Sequence, residues 1–260
     1  METERAVKGE CVAVSKAKRI RLAFVDIALF AVLFMIFLFL FAMPFAIAFP
    51  ELKTLAGGAS VYLMMLNEVL MLASGLVAAC MVLGFRKLPF SGLGLSLKGW
   101  GGSLLNGALF VVLLYSVGFG LSLLLGAVDV AGVLFSPISL LASLLLYFLV
   151  AVTEEVIGRG FILGRMLDGG VNKFVALFVS AVLFSLMHLF NPSFAFVPFL
   201  NIMLAGCFLG ASYIYTRNLC FPIALHWFWN WIQGSVLGYK VSGNEFTAFS
   251  AWYGNYHKTL

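Results

Sequence analysis

The chain has 260 residues, of which 63% are hydrophobic and only 10% are charged, and its mean hydropathy is +1.07. Soluble domains usually contain about 25% charged residues, so this composition excludes a water-soluble protein and predicts one that crosses a lipid bilayer several times. The formal net charge of +5 does not indicate a nucleic-acid partner, because six of the sixteen basic residues lie in the first 21 positions.

Apolar segments long enough to cross a bilayer follow one another along most of the chain. A transmembrane helix needs about 20 mostly apolar residues, and seven segments meet this requirement. They predict an all-α membrane bundle in one domain (residues 22–238), between a basic cytoplasmic N-terminus (residues 1–21) and a tail (residues 239–260). The predicted spans are Leu22–Ala48, Val61–Phe85, Ser103–Leu125, Ile138–Leu167, Val171–Phe190, Phe194–Thr216 and Leu219–Gly238.

The basic residues predict the orientation of this bundle. With a cytoplasmic N-terminus, 13 of the 16 Lys and Arg residues lie on the cytoplasmic side and 3 lie on the other side. This asymmetry agrees with the positive-inside rule, so we expect an integral multi-pass membrane protein with its N-terminus in the cytoplasm. Residues 246–254 of the tail (FTAFSAWYG) are too short to span, and we expect an eighth, interfacial segment there.

The fourth span carries three charged residues within an apolar sequence, AVTEEVIGRG. A charge near the bilayer centre costs at least about 2.5–3.5 kcal/mol, so these residues require partners or a function. Glu155 and Arg159 are four positions apart and can form an ion pair on one helix face. Glu154 points about 100° away and is left to face something else. An ion pair that only stabilises the bundle is the alternative for Glu155 and Arg159.

Two further spans carry polar groups that suit hydrolysis. His188 lies near the end of the fifth span, one turn after Phe184, and His226 and Asn230 share one face of the seventh span. Together with the glutamates they supply a base for water and donors for an oxyanion. One Glu and two His are also ligands of catalytic zinc, although no His-Glu-x-x-His motif is present. Each histidine alone is equally typical of a packing residue.

Four other polar residues inside the spans have simpler interpretations. Asp26 lies near the inner end of the first span, where we expect it to pair with nearby basic residues. Asn67 and Glu68 in the second span and Asn201 in the sixth are candidates for supporting the site.

The motifs Glu154-Glu155-x-x-x-Arg159, Phe184-x-x-x-His188 and His226-x-x-x-Asn230 stand in this order on separate spans. In this respect the chain resembles the CAAX-protease and bacteriocin-processing (Abi) family of intramembrane proteases and is similar to type II CAAX prenyl endopeptidases. The resemblance covers about residues 138–235.

The resemblance implies an endopeptidase that hydrolyses a peptide bond in a membrane-associated or prenylated peptide or protein. It implies that Glu154 is the general base that activates water and that His188 helps to hold this water. It also implies that His226 and Asn230 stabilise the oxyanion. The short chain with few loops is more similar to prokaryotic members than to eukaryotic ones, so we expect a prokaryotic cell membrane.

The resemblance also implies that Glu155 and Arg159 orient the first glutamate. It leaves the cofactor open, because the family has been described both as metal-dependent and as metal-free. A zinc ion would take Glu154, His188 and His226 as ligands. We favour the metal-free mechanism, because an arginine paired to the motif and an asparagine within it suit proton transfer and an oxyanion site.

Two other functions remain as alternatives to proteolysis. Buried Glu, His and Arg residues also form proton relays in transporters, although the sequence contains no inverted repeat. A family member that acts as a scaffold or as a bacteriocin-immunity factor without cleaving peptides is the second alternative.

A common site constrains the length of the fourth helix. His188 lies roughly 26 Å along the fifth span at 1.5 Å per residue. If the fourth helix ended at the arginine of its motif, Glu154 would lie only about 8 Å from the inner end, whereas a helix extending to Leu167 raises this distance to about 20 Å. We therefore predict a long or tilted fourth helix. His226 stays shallow on a straight helix, so we expect tilt or a break at Pro222.

Overall fold

The computed structural model describes residues 15–48, 61–133, 135–192, 194–242 and 252–255. Within these ranges the fold is almost entirely helical, and a helix forms in each of the seven predicted segments. A short 3-10 turn, Phe90–Leu93, interrupts the connection between the second and third helices. The helices are α1 (Lys16–Ala48), α2 (Val61–Phe85), α3 (Trp100–Leu124), α4 (Pro137–Asp168), α5 (Lys173–Leu186), α6 (Phe196–Thr216) and α7 (Cys220–Trp231).

Five helices, α1, α2, α3, α4 and α6, are long and apolar enough to cross a membrane, so the predicted count of seven spans is not confirmed. Helix α5 has 14 residues, fewer than the predicted Val171–Phe190. After Leu186 the backbone forms turns with i→i+3 hydrogen bonds, such as the one from the N–H of His188 to the carbonyl of Ser185 at 3.1 Å. Helix α7 continues as a π-helix over Ile232–Val236 and ends before Gly238, which has a left-handed φ of 73°.

The outer helices present apolar side chains away from the bundle. Of the 33 residues of α1 only Ala23, Asp26 and Phe30 are buried, and α3 buries only Gly107 and Val111. Such extensive apolar exposure is stable only against lipid, which has the same polarity as these side chains. The protein is therefore a multi-pass membrane protein.

The predicted long fourth helix is confirmed. Helix α4 runs for 32 residues, which corresponds to about 48 Å at 1.5 Å per residue, and Glu154 lies near its middle. The Ser136 side chain caps its first turn by accepting a hydrogen bond from the backbone N–H of Ser139. Its middle section, Val156–Leu163, is π-helical, and α-helical geometry resumes over Gly164–Asp168.

Helix α7 is the central helix of the bundle and has no exposed residue. It packs against α3, α4 and α6, and a Cβ atom on Gly107 of α3 would lie 2.9 Å from the Cβ of Ala224. Leu219, just before α7, is buried and donates its N–H to the carbonyl of Gly94. The helix therefore starts inside the bundle. Of the two expected alternatives, tilt or a break at Pro222, the break does not occur, because proline is tolerated in the first helical turn.

Two glycines allow α5 and α6 to approach closely. A Cβ atom on Gly206 would lie 3.1 Å from Ala181, and one on Gly210 would lie 2.7 Å from the Leu177 side chain. This Gly-x-x-x-Gly spacing is typical of close helix contacts in membranes. The Ser185 hydroxyl also donates a hydrogen bond of 2.7 Å to the Phe199 carbonyl.

Ion pairs gather several helix termini at one end of the bundle, which we call the basic end. Asp26 is fully buried and accepts hydrogen bonds from Arg86 (2.6 Å) and Arg165 (2.8 Å), as expected. Asp168 pairs with Arg217. These contacts place the start of α1, the ends of α2 and α4, and the turn between α6 and α7 at the same end.

The opposite end holds the C-terminal ends of α5 and α7. There Asn191 donates a hydrogen bond of 3.0 Å to the Ser242 carbonyl. After α3, the strand β1 (Asp129–Val133) pairs antiparallel with β2 (Trp252–Asn255) of the tail. Residues 246–251 of the predicted interfacial segment lie outside the described residues, and its last three residues belong to this strand.

Candidate active site

Glu155 joins α4 to α7. Its side chain is fully buried, and Oε1 accepts hydrogen bonds from Arg159 Nη1 at 2.7 Å and from His226 Nδ1 at 2.8 Å. The predicted Glu155–Arg159 ion pair is therefore present. The contact with His226 was not predicted, and it shows that Glu155 holds a histidine of another helix in place.

The positive charge of Arg159 has partners on three sides, although the side chain is almost completely buried. Besides Glu155, it donates from Nη2 to the carbonyl of Gly206 at 3.2 Å, and its Cζ lies 4.2 Å from the ring centroid of Phe184. A buried guanidinium is stable only with such partners. Phe184, which the motif includes without a stated role, contributes the aromatic face.

Glu154 faces a different set of groups. Its side chain is 20% exposed, its Oε1 lies 3.7 Å from His188 Nε2, and its Oε2 lies 3.8 Å from His226 Nε2. Both separations are too long for direct hydrogen bonds. Polar groups at such distances are commonly bridged by a water molecule. The structure thus brings Glu154, His188 and His226 together around a space that a water molecule fits.

The outer partner of each histidine determines which ring nitrogen carries hydrogen. His188 Nδ1 lies 2.8 Å from the carbonyl of Phe184, and His226 Nδ1 contacts the Glu155 carboxylate. Both partners only accept, so Nδ1 is the donor in each ring and Nε2 of the neutral imidazole is an acceptor. When both imidazoles are neutral, three acceptors therefore converge, and the two hydrogens of a water molecule can satisfy two of them at a time.

Two π-helical stretches adjoin the motif residues. The first begins directly after Glu155, and the second begins two residues after Asn230. Such departures from α-helical geometry are frequent at functional sites. In the first stretch, a Cβ atom on Gly160 would lie 2.8 Å from the carbonyl of Leu93. The glycine therefore lets α4 contact the 3-10 turn that covers the start of α7.

Two cavities meet at the motif residues. The first, of about 700 Å³, lies among α5, α6 and α7, and the second, of about 640 Å³, lies among α1, α2 and α4. Glu154, His188 and Asn230 border both cavities, as do Val241 and Ser242 of the segment after α7. A molecule in either cavity can therefore reach the Glu154 carboxylate.

Asn230 borders both cavities. Its side chain is largely buried, and its amide has no hydrogen-bond partner in the part of the chain that the structure describes. The supporting candidates lie further out, because Asn201 lines the first cavity, and Asn67 and Glu68 line the second.

Glu154, His188 and His226 are the residues that the sequence names as ligands if a metal ion is present. Among the residues that the structure describes, no group of three or more His, Cys, Asp or Glu side chains is arranged to hold a metal ion.

The site is thus a cluster of two carboxylates and two histidines inside a membrane helix bundle. Residues 136–232, which include all three motifs, match the family described as type II CAAX prenyl endopeptidase Rce1-like. This match supports membership of this part of the chain in the CAAX-protease and bacteriocin-processing family. No curated protein and no solved structure matches the chain.

The same substitution at the two adjacent glutamates should have different effects on the stability of the protein. Glu155→Gln leaves the buried Arg159 without its counter-charge, and breaking a buried pair costs about 3–5 kcal/mol. Glu154→Gln removes no direct hydrogen bond, because the nearest ring nitrogens lie 3.7 and 3.8 Å from the Glu154 carboxylate. We expect Glu155→Gln to lower the thermal unfolding midpoint in detergent markedly and Glu154→Gln to preserve it.

The conservative change is identical at the two positions, so each variant is the control of the other. Equal destabilisation by both variants would contradict the division of roles between Glu154 and Glu155.

Proposed function

We propose that this protein is an intramembrane endopeptidase that hydrolyses a peptide bond in a membrane-associated peptide or protein. The observation that carries the proposal is the position of Glu154, whose two carboxylate oxygens face Nε2 of His188 and Nε2 of His226 at 3.7 and 3.8 Å. A base with two flanking acceptors can hold one water molecule and direct its lone pair at a carbonyl carbon.

The first step is attack of this water on the scissile carbonyl. Glu154 takes one proton of the water while the oxygen bonds to the carbonyl carbon, and His188 accepts the hydrogen bond of the other proton. A tetrahedral intermediate with a negatively charged oxygen forms. The semi-enclosed space between the helices strengthens these interactions because the surroundings are apolar.

Asn230 and His226 are the proposed donors to the oxyanion. The Asn230 amide borders both cavities and has its hydrogens available. His226 donates from Nε2 only as the imidazolium, which forms when the ring takes up one proton from solvent before the attack. The Glu155 carboxylate on Nδ1 stabilises this imidazolium, as a buried carboxylate does for the histidine of a Ser-His-Asp triad. Glu155 and Arg159 thus act through His226.

The second step is collapse of the intermediate. The oxyanion reforms a carbonyl group, the C–N bond breaks, and the proton held by Glu154 moves to the leaving amine nitrogen. The products are an amine and a carboxylic acid, which keeps the other proton of the water until it is released to solvent, and the carboxylate of Glu154 is regenerated. Every proton transfer in this scheme uses a group that borders the junction of the two cavities.

Cleavage of tethered peptides by the reconstituted protein tests the assignment. With a library of membrane-tethered and prenylated peptides, we expect products from the wild type and none from Glu154→Ala or His188→Ala. Equal product formation by the wild type and these variants would remove the protease function. Absence of products in every sample would favour a non-proteolytic member of the family.

Substitution of Asn230 should affect the rate more than the fold. Loss of one oxyanion donor typically lowers kcat by about 10²–10³-fold, and we expect this decrease in Asn230→Ala with an unchanged unfolding midpoint. Asn218→Ala is the matched control, because Asn218 bonds Lys98 and Cys220 at the basic end. It should lower the midpoint and keep kcat. A wild-type kcat in Asn230→Ala would contradict the role of Asn230.

Removal of metal ions tests whether the side chains of the site can catalyse cleavage by themselves. Because the proposed base and donors are all protein groups, we expect cleavage to survive a strong chelator. Elemental analysis of the active protein should find no metal in a one-to-one ratio. Loss of activity with the chelator, restored by one equivalent of zinc, would show that Glu154, His188 and His226 act as ligands.

A further inference from the structure

Both cavities that reach Glu154 open at the end of the bundle opposite the basic end. Pro192 and Lys240, both exposed, line the first cavity, and Ser242 lines both. Pro192 follows the C-terminal end of α5, and Lys240 and Ser242 follow the C-terminal end of α7. The hydrogen bond from Asn191 to Ser242 joins these two segments at 3.0 Å.

Among the described residues, the basic end shows no such route to the site. Between it and Glu154, the bundle is filled by apolar side chains that are essentially fully buried, among them Phe161, Leu163 and Met166 of α4. A third cavity of about 560 Å³ lies at the basic end, but it is lined by Asp26, Arg165 and their neighbours and by none of the motif residues. Water and peptide therefore reach Glu154 from the opposite end.

The positive charge is concentrated at the basic end. Within the described ranges, one lysine, Lys240, lies at the opposite end. Two contacts show that Arg19 and Lys98 lie at the basic end. The carbonyl of Arg19 lies close to Gly169, and the carbonyl of Lys98 accepts a hydrogen bond from Asn218. The described Lys and Arg residues of the basic end are Lys16, Lys18, Arg19, Arg21, Arg86, Lys87, Lys98, Arg165, Lys173 and Arg217.

Under the positive-inside rule, the end of a membrane protein that is rich in Lys and Arg faces the cytoplasm. We infer that the active site opens to the extracytoplasmic side. Its substrates are then membrane-anchored peptides whose scissile bond lies in the outer half of the bilayer or just outside it. This identification of the substrate class rests on the proposed function, whereas the direction of the opening does not.

The first cavity also indicates the chemistry of the peptide. Its walls are mostly apolar and suit an extended segment with apolar side chains, while the polar groups are confined to the motif residues and to the mouth. The lining includes Phe194, Pro198, Ile202, Leu204, Phe208 and Leu209. An exported peptide with an apolar segment next to its membrane anchor fits this description. A prenylated C-terminus on the cytoplasmic face would lie at the closed end.

Cysteine labelling tests on which side of the membrane the active site opens, and it does not require the protein to cleave a substrate. Lys240→Cys and Lys98→Cys form a matched pair, because both lysines are exposed and lie at opposite ends of the bundle. In intact cells, a membrane-impermeant maleimide should label Lys240→Cys above the level of the parent protein, which has four cysteines of its own. Lys98→Cys should be labelled only after permeabilisation. The reverse pattern would overturn the inference.

Two reporters test the substrate class. The same library of apolar peptides is fused to one transmembrane helix so that it lies outside or inside the cytoplasm, and each reporter is expressed with the wild type or with Glu154→Ala. We expect cleavage of the outer reporter by the wild type alone. Cleavage of the inner reporter would overturn the inference and keep the protease function. If neither reporter is cleaved, the protease function fails, and the labelling pattern still decides the direction.

Discussion

The carboxylate of Glu155 is the interaction on which the arrangement of the site depends. One of its oxygens accepts hydrogen bonds from Arg159 on the same helix and from His226 on α7. In an apolar interior, each of these charged or polar groups would be strongly unfavourable alone. Their contacts fix the register of α7 against α4. As a result, the other face of α4 can present Glu154 to a cavity.

The helix bundle positions this contact by combining long outer helices with a short inner one. Helices α1 and α3 cover the bilayer thickness and turn their apolar side chains to the lipid. Helix α7 is surrounded by protein and starts beneath the 3-10 turn, so its length need not match the bilayer. Because α7 starts inside the bundle, His226 lies at the same depth in the membrane as Glu155, with which it forms a hydrogen bond. The helix therefore needs no break at Pro222.

The sequence predicted contacts within one helix better than contacts between helices. The Glu155–Arg159 pair follows from the spacing of four residues, and the extent of α4 follows from the need to bring Glu154 to the depth of His188. The bond between Glu155 and His226 spans 71 positions, and no periodicity determines which face of α7 meets α4. Apolar runs also do not distinguish a helix from a turn in lipid, so the end of α5 was placed too late.

Some contacts between helices do have a signal in the sequence. The Gly206–Gly210 spacing predicts a close contact of α6 with another helix, and this contact brings the Gly206 carbonyl to Arg159. The π-helical geometry of Val156–Leu163 has no comparable signal, because it depends on which carbonyl groups find partners in the folded bundle. Pairing of β1 with the tail likewise depends on the tertiary fold.

The ring nitrogens of the histidines report on this account most directly. ¹⁵N NMR of the histidine-labelled protein, assigned with His188→Gln and His226→Gln and recorded where the imidazoles are neutral, distinguishes the two tautomers. We predict that Nδ1 of His226 carries the hydrogen. The ¹⁵N signal of this nitrogen should change in Glu155→Gln but not in Glu154→Gln. Hydrogen on Nε2 of His226 in the wild-type protein would contradict it, because Glu155 would then not hold the ring and Nε2 could not accept from the water at Glu154.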